Sequence, residues 1–294
     1  MKPATFDYYR PKSVDDAVST LMASPFAKVL AGGQSLVPSM NFRLSTPSLL
    51  VDIGHLSELR SVDVTPATVT IGAATRQYDV ESSADVAAAA PGLRAALRWV
   101  GHRQIRNRGT VCGSLAHADP AAELPALAIN SGATLTLRGP GGDRTVASAD
   151  FFRGPFWTDL QPGEIITSVS FPAQASGVVT QVDEIARRSG DFALVGVVAS
   201  IGSTNGTVSS AVLTGFGVGG TPVRLASAEG ALQGRDTLDE KARMDLYEAA
   251  YTDAGDPFED VHASTEYRRE ALASLVVRTA TAIVDGSLEK GGRS

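Results

Sequence analysis

The chain has 294 residues, a formal net charge of −6, 43% hydrophobic and 20% charged residues, one cysteine and four histidines. That length suits about two folded domains, and the acidic balance gives no electrostatic case for a nucleic-acid partner. No apolar run approaches the roughly 18 residues of a membrane-spanning helix, and the lone Cys112 can supply neither an internal disulfide nor the ligands of an iron–sulfur cluster, so any such cluster belongs to another chain.

In chain order, MKPATFDYYRPKS has no apolar core of the kind a secretion signal needs, which leads us to expect a cytoplasmic protein. Ser13 then opens a helix: Val14, Ala17, Val18, Leu21 and Met22 recur at helical spacing, and Asp16 sits three residues after Ser13, as in a capping box. Lys28 to Ala31 reads as a short strand, followed by Gly32-Gly33. SLLVDI (48–53) suits a buried strand, and TVTIGA (68–73) alternates like another. PGLRAALRWV (91–100) reads as a helix with Pro near its first position. A hairpin is expected over 133–147 around Pro140-Gly141-Gly142, and a strand over 163–172.

PAQASG (172–177) is small and polar, the expected domain boundary. Beyond it, two β-rich runs flank Ser203-Thr204-Asn205-Gly206. Asn-Gly in that setting predicts a type I′ hairpin, because both central residues need positive φ. Helices are expected over 238–254 and 264–285, the second with Ser264 as N-cap, Leu272, Leu275, Val276 and Ile283 on one face, and Gly286 at its end. No repeat of fixed period is present, and the only low-complexity tail is KGGRS.

Several motifs resemble chemistry without meeting its requirements. Gly215-Phe-Gly217-Val-Gly219-Gly220 matches a dinucleotide fingerprint. Thr221-Pro222-Val223 follows it, where the fingerprint needs a helix amino terminus to receive the pyrophosphate. Gly33-Gln-Ser35-Leu-Val37 lacks the final glycine of a nucleophile elbow. His55, His102, His117 and His262 show no zinc-ligand spacing. His117 and Asp119 within NRGTVCGSLAHADP read as ordinary polar residues satisfying the backbone.

Two short donor-rich loops remain, Ala31-Gly32-Gly33-Gln34-Ser35 and Thr110-Val111-Cys112-Gly113-Ser114. Glycine removes the Cβ that keeps a ligand from the main chain, and successive backbone N–H groups can form an anion-binding nest. Glu123 could accept hydrogen bonds from ribose or adenine-side hydroxyls. Either loop alone reads as a turn. The pair points to a dinucleotide bound without a Rossmann fold.

Four segments carry a resemblance across nearly the whole chain: AGGQSLVPSMNFRL, VGHRQIRNRGTVCGSLAHADPAAELPAL, ARRSGDFALVGVVAS and DVHASTEYRREALASLVVRTA. In this order the chain resembles the FAD-binding medium subunits of molybdenum hydroxylases, a family that includes the carbon monoxide dehydrogenase medium subunit and the flavin domain of xanthine dehydrogenase. The resemblance implies an α+β fold: a two-part FAD-binding domain of the vanillyl-alcohol-oxidase type over residues 1–175, with subdomains near 1–55 and 56–175, and a smaller α/β carboxy-terminal domain over 176–288.

It also implies a flavoprotein that passes electrons from two [2Fe–2S] clusters on a small partner subunit through FAD to an external acceptor. A large partner subunit carries molybdopterin cytosine dinucleotide with molybdenum. The three form a heterotrimer, with a dimer of trimers as one form. By correspondence with the family motif the FAD contacts are Ala31, Gly32, Gly33, Gln34, Ser35, Thr110, Val111, Cys112, Gly113, Ser114 and Glu123, with Arg187 (or Arg188) and Phe192 near the flavin ring. Cys112 stands where many members have glycine. No catalytic residue and no metal ligand is expected in this chain. The alternatives are a stand-alone FAD-dependent oxidase or reductase on the same fold, and a non-enzymatic anion-binding module. Which substrate the complex oxidises is not encoded in this chain.

Overall fold

The computed structural model describes residues 2–286. The KGGRS tail and the last two positions of the expected 176–288 domain lie outside the described residues. The chain divides into two compact units. The first gathers the described residues of 1–90, 101–118 and 132–173, and the second those of 91–100, 119–131 and 174–294.

The first unit begins with a three-stranded parallel sheet in the order Asp7–Tyr9, Leu49–Asp52, Ala27–Leu30. Parallel strands need crossover connections, and the helix Val14–Ala23 lies on the one from Asp7–Tyr9 to Ala27–Leu30, the two edges of the sheet. Ser13 caps it as expected, its hydroxyl accepting from Asp16 N at 3.2 Å. The Asp16 carboxylate does not close a reciprocal capping box. It accepts instead from Lys12 N at 2.8 Å and from the Tyr9 hydroxyl. The central strand, Leu49–Asp52, buries Leu50 and Val51. This explains its uninterrupted apolar sequence, since a parallel strand covered on both faces has no solvent side.

The rest of the first unit is built on a five-stranded antiparallel sheet, Val62–Val64, Thr68–Gly72, Ile165–Pro172, Thr134–Gly139 and Gly142–Ala147 in spatial order. The expected hairpin closes with Gly139 opposite Gly142, leaving Pro140 and Gly141 as the turn. Leu135, Leu137, Val69, Ile71 and Val169 fill its inner face, all fully buried.

In the second unit a four-stranded antiparallel sheet runs Val178–Ala186, Ala193–Thr204, Thr207–Phe216, Val223–Arg224. Asn205 (φ 53°) and Gly206 (φ 80°) both take positive φ between the second and third strands, as the Asn-Gly signal predicts. The helices Glu240–Asp253 and Thr265–Val284 supply Leu246, Ala250, Leu272, Leu275 and Val276 to one apolar core with Val195, Val197 and Leu213 of the sheet. Ser264 caps the long helix by accepting from Tyr267 N at 3.2 Å. The helices Pro91–Leu97 and Glu123–Ser131 also belong to this unit, although they lie early in the chain. Asn130 shows how: its amide nitrogen donates to Val212 O at 2.9 Å and to Val198 O at 3.1 Å.

The glycine-rich run after Phe216 is a turn. Gly217 (φ 75°) holds positive φ, and a Cβ there would lie 2.6 Å from Leu194 O. No helix starts at Thr221, so the fingerprint has no amino terminus behind it.

Candidate functional site

The first loop leaves the carboxyl end of the edge strand Ala27–Leu30 and enters the short helix Leu36–Asn41. Open α/β sheets expose their ligand-binding loops at such ends. Among the described residues, the backbone N–H groups of Gly32, Gly33, Gln34 and Ser35 have no protein acceptor. Ser35 occupies the N-cap position in αR conformation, and its side chain makes no capping bond. Gly33 O accepts from Val37 N at 3.0 Å and Ser35 O from Ser39 N at 3.1 Å. Gly32 O accepts from Gln34 Nε2 at 3.4 Å. Such a run of successive spare donors suits an anion.

The second segment is not the open loop its composition suggests. Thr110 is the N-cap of a helix, Val111–His117, and its hydroxyl accepts from Gly113 N at 3.0 Å. This local bond starts the helix and satisfies one of its first-turn donors. Val111 and Cys112 then point inward and are buried, while Gly113 and Ser114 keep partial exposure. The Cys112 thiol lies 3.7 Å from Ile71 O, and burial pushes its pKa up to about 12. Cys112 is therefore a packing residue whose side chain leaves the outer side of the turn free.

The two segments meet backbone to backbone. A Cβ on Gly32 would lie 2.6 Å from Arg108 O, 2.7 Å from Gly109 Cα and 3.1 Å from Thr110 N. Gly32 thus makes room for the other loop, where the sequence suggested room for a ligand. Gly33 is needed for a second reason, its positive φ of 75°. A Cβ on Gly113 would lie 2.7 Å from the Thr110 hydroxyl, so this glycine protects the cap.

Arg76, which the sequence reading missed, stands at this junction. Its Nη1 donates to Ala31 O at 3.4 Å and to Arg108 O. Its main chain bridges to Thr110, with Gln77 N donating to Gly109 O at 2.8 Å. Burial lowers the pKa of Arg76 most, and the Arg108 and Arg60 charges lower it further. No local signal marks Arg76, since its partners lie 45 and 32 residues away in the chain.

The first unit therefore brings Ala31, Gly32, Gly33, Gln34 and Ser35 together with Thr110, Val111, Cys112, Gly113 and Ser114. The remaining expected residues lie in the second unit. Glu123 opens the helix Glu123–Ser131, and burial raises its carboxyl to about 7, its own backbone amide opposing and Asp119 adding to the rise. Arg187 is exposed, 3.4 Å from the His262 ring nitrogen Nδ1. Phe192 is 65% exposed just before the strand Ala193–Thr204, a large apolar surface left to solvent by this chain. Among the described residues no group of three or more His, Cys, Asp or Glu side chains could hold a metal ion, and no helix is long and apolar enough to cross a membrane.

Comparison with known proteins adds the following. Residues 4–174 match the FAD binding domain in molybdopterin dehydrogenase, and residues 181–283 match the CO dehydrogenase flavoprotein C-terminal domain. The chain is 38% identical to the 6-hydroxypseudooxynicotine dehydrogenase complex subunit alpha of Paenarthrobacter nicotinovorans, over 95% of this chain and 94% of that protein. It is 35% identical to the carbon monoxide dehydrogenase medium chain of Hydrogenophaga pseudoflava, over 96% and 98%. Among solved structures, quinoline 2-oxidoreductase from Pseudomonas putida 86 matches with a TM-score of 0.92 at 34% identity, covering 98% of this chain and 100% of that one. Carbon monoxide dehydrogenase from Hydrogenophaga pseudoflava matches with a TM-score of 0.91 at 36% identity, covering 96% and 98%.

Proposed function

The chain belongs to the family of FAD-binding medium subunits of molybdopterin hydroxylases, and from that premise we propose that it holds FAD on its two loops as the electron-transfer subunit of a molybdenum-containing dehydrogenase complex. When bound, FAD supplies a carrier that can take electrons singly from [2Fe–2S] clusters of a partner subunit and deliver them to an external acceptor. The observation that carries the reading is the row of N–H groups from Gly32 to Ser35 with no protein acceptor among the described residues. A diphosphate is acceptor-rich and anionic, so the donor set fits it. Thr110, Gly113 and Ser114 add a hydroxyl-bearing helix start beside that row. Val111 and Cys112 contribute main chain, with their side chains committed to the core.

The same reading assigns Glu123 to the ribose or adenine end of the cofactor and Arg187 and Phe192 to the flavin end. With a carboxyl raised to about 7, Glu123 is a poor anion and can donate as well as accept a hydrogen bond. The chain needs no general base or nucleophile for this task; its residues bind, orient and exclude water. The reading further gives the chain a large partner bearing molybdopterin cytosine dinucleotide with molybdenum and a small one bearing two [2Fe–2S] clusters. It retains the cytoplasm as location and residues 1–175 and 176–288 as the domain division.

The test is to purify the full chain with excess FAD and measure bound flavin per chain, alone and with co-expressed partner subunits. Near-stoichiometric flavin is expected, with substrate turnover only when the partners are present. A colourless chain that rejects FAD would overturn the assignment, and turnover by the isolated chain would favour a self-sufficient flavoenzyme.

A further inference from the structure

Two carbonyl oxygens from separate loops, Ala31 O and Arg108 O, converge on one guanidinium nitrogen of Arg76. Two such oxygens facing one spot need hydrogen-bond donors between them, and the guanidinium supplies both. The second loop is anchored independently, because Gly109 N donates to Ile105 O at 2.7 Å and Gly109 O accepts from Gln77 N. The first loop's own backbone bonds run only forward into its helix, Val37 N to Gly33 O and Ser39 N to Ser35 O, and its donors from Gly32 to Ser35 are spare among the described residues. The contact at Gly32 is backbone against backbone, which supplies closeness without a directed bond.

The peptide geometry gives this contact a consequence. Every peptide bond described is trans, so carbonyl and following N–H point in opposite directions. Holding Ala31 O against Arg76 therefore turns the Gly32 N–H away from Arg76, at the start of the donor row. The two N–H donors of Nη1 are fixed in the guanidinium plane and can serve one carbonyl each, whereas an ammonium's donors rotate about a point charge. Burial and the neighbouring Arg60 and Arg108 charges oppose the cation, and it is retained at this junction in spite of them.

We propose that Arg76 is a positioning residue that clamps the first loop onto the second and thereby aims the spare N–H groups of residues 32–35 at the cofactor diphosphate. The loop clamp stands on contacts within the chain, and its cofactor consequence rests on the FAD reading above.

The test compares Arg76→Met and Arg76→Lys with the parent as full chains. In the flavin-free proteins, the rate of proteinase K nicking between residues 31 and 36 is mapped by mass spectrometry, alongside the global melting temperature. FAD and ADP dissociation constants are then measured by fluorescence and calorimetry. For Arg76→Met we expect nicking in this window several-fold faster, with the melting transition retained, and both ligands weakened about tenfold or more, as for loss of a charge-assisted hydrogen bond. Arg76→Lys should lie between. Nicking and affinities within about twofold of the parent would overturn the proposal. So would nicking that accelerates throughout the chain with a collapsed melting transition, since that describes a general structural role. Faster nicking with unchanged FAD affinity would remove the cofactor half. Weaker FAD binding with unchanged nicking would remove the clamp. If the parent itself rejects FAD, the functional reading fails and the nicking comparison alone decides the clamp.

Discussion

The two glycine-bearing segments look alike in composition and differ in what completes them. At Thr110 the protein completes itself: the side chain accepts from Gly113 N, and the buried Val111 and Cys112 lock the turn to the core. At Gly32 to Ser35 it does not. The N-cap serine makes no capping bond, and four successive N–H groups go unanswered among the described residues. The contrast teaches that one segment is an anchor closed by its own side chains, while the other leaves its donors open, as the proposed receptor for the diphosphate requires.

The comparison breaks most severely at Gly32→Val. The new Cβ meets backbone at 2.6 Å on the other loop, and neither main chain can give way locally. We expect a loss of about 3 kcal/mol in stability, the upper range for overpacking, together with loss of FAD, read by urea unfolding and flavin content. Gly33→Ala should cost less, about 1–2 kcal/mol for a side chain held at positive φ. Its Cβ would touch only the ends of Leu30 and Val37, so partial flavin retention is expected.

The cap separates the two segments directly. Thr110→Ala should cost about 1 kcal/mol in the flavin-free chain. Ser35→Ala, removing a hydroxyl with no cap bond, should leave flavin-free stability within about 0.5 kcal/mol. Equal losses at the two positions in thermal melts would erase the distinction between anchor and receptor.

The smallest effect on flavin is expected at Cys112→Ala, because the thiol faces Ile71 O and not the turn's outer side. FAD affinity should stay within about twofold. The thiol also gives an alkaline signature. Its folded pKa of about 12 lies above its ordinary 9.0, so between these values the unfolded chain has lost a proton that the folded chain keeps. Stability therefore falls as pH rises through that window, and Cys112→Ala should flatten the fall in pH-dependent unfolding. Rapid labelling of the native thiol at neutral pH would contradict its burial.

Much of the second unit was legible locally. Asn205-Gly206 specifies its own turn by positive φ, Ser264 its own helix start, and the apolar spacing of Leu272, Leu275 and Val276 its buried face. The strand Val178–Ala186 was missed, since its mixed sequence, VVTQVDEIA, has no clear two-residue period. The candidate site was legible as two donor-rich segments but not as one object. Gly32 read as space for a ligand and turned out to be space for Arg108 and Gly109. Thr110-Val111-Cys112 read as an open loop and turned out to be a capped helix start.

From sequence alone came the features that a few adjacent residues decide: turns that require positive φ, helix caps, buried apolar faces and the two small-residue segments. Only the tertiary structure decided which unit the helices Pro91–Leu97 and Glu123–Ser131 join, which way Cys112 points, and that Arg76 ties Ala31 to Arg108. The reason is range. Caps and turns are satisfied within three or four residues, so their cause is written beside them. A guanidinium that bridges carbonyls 45 and 32 residues away is set by where the sheet brings the chain back, and no local pattern carries that information.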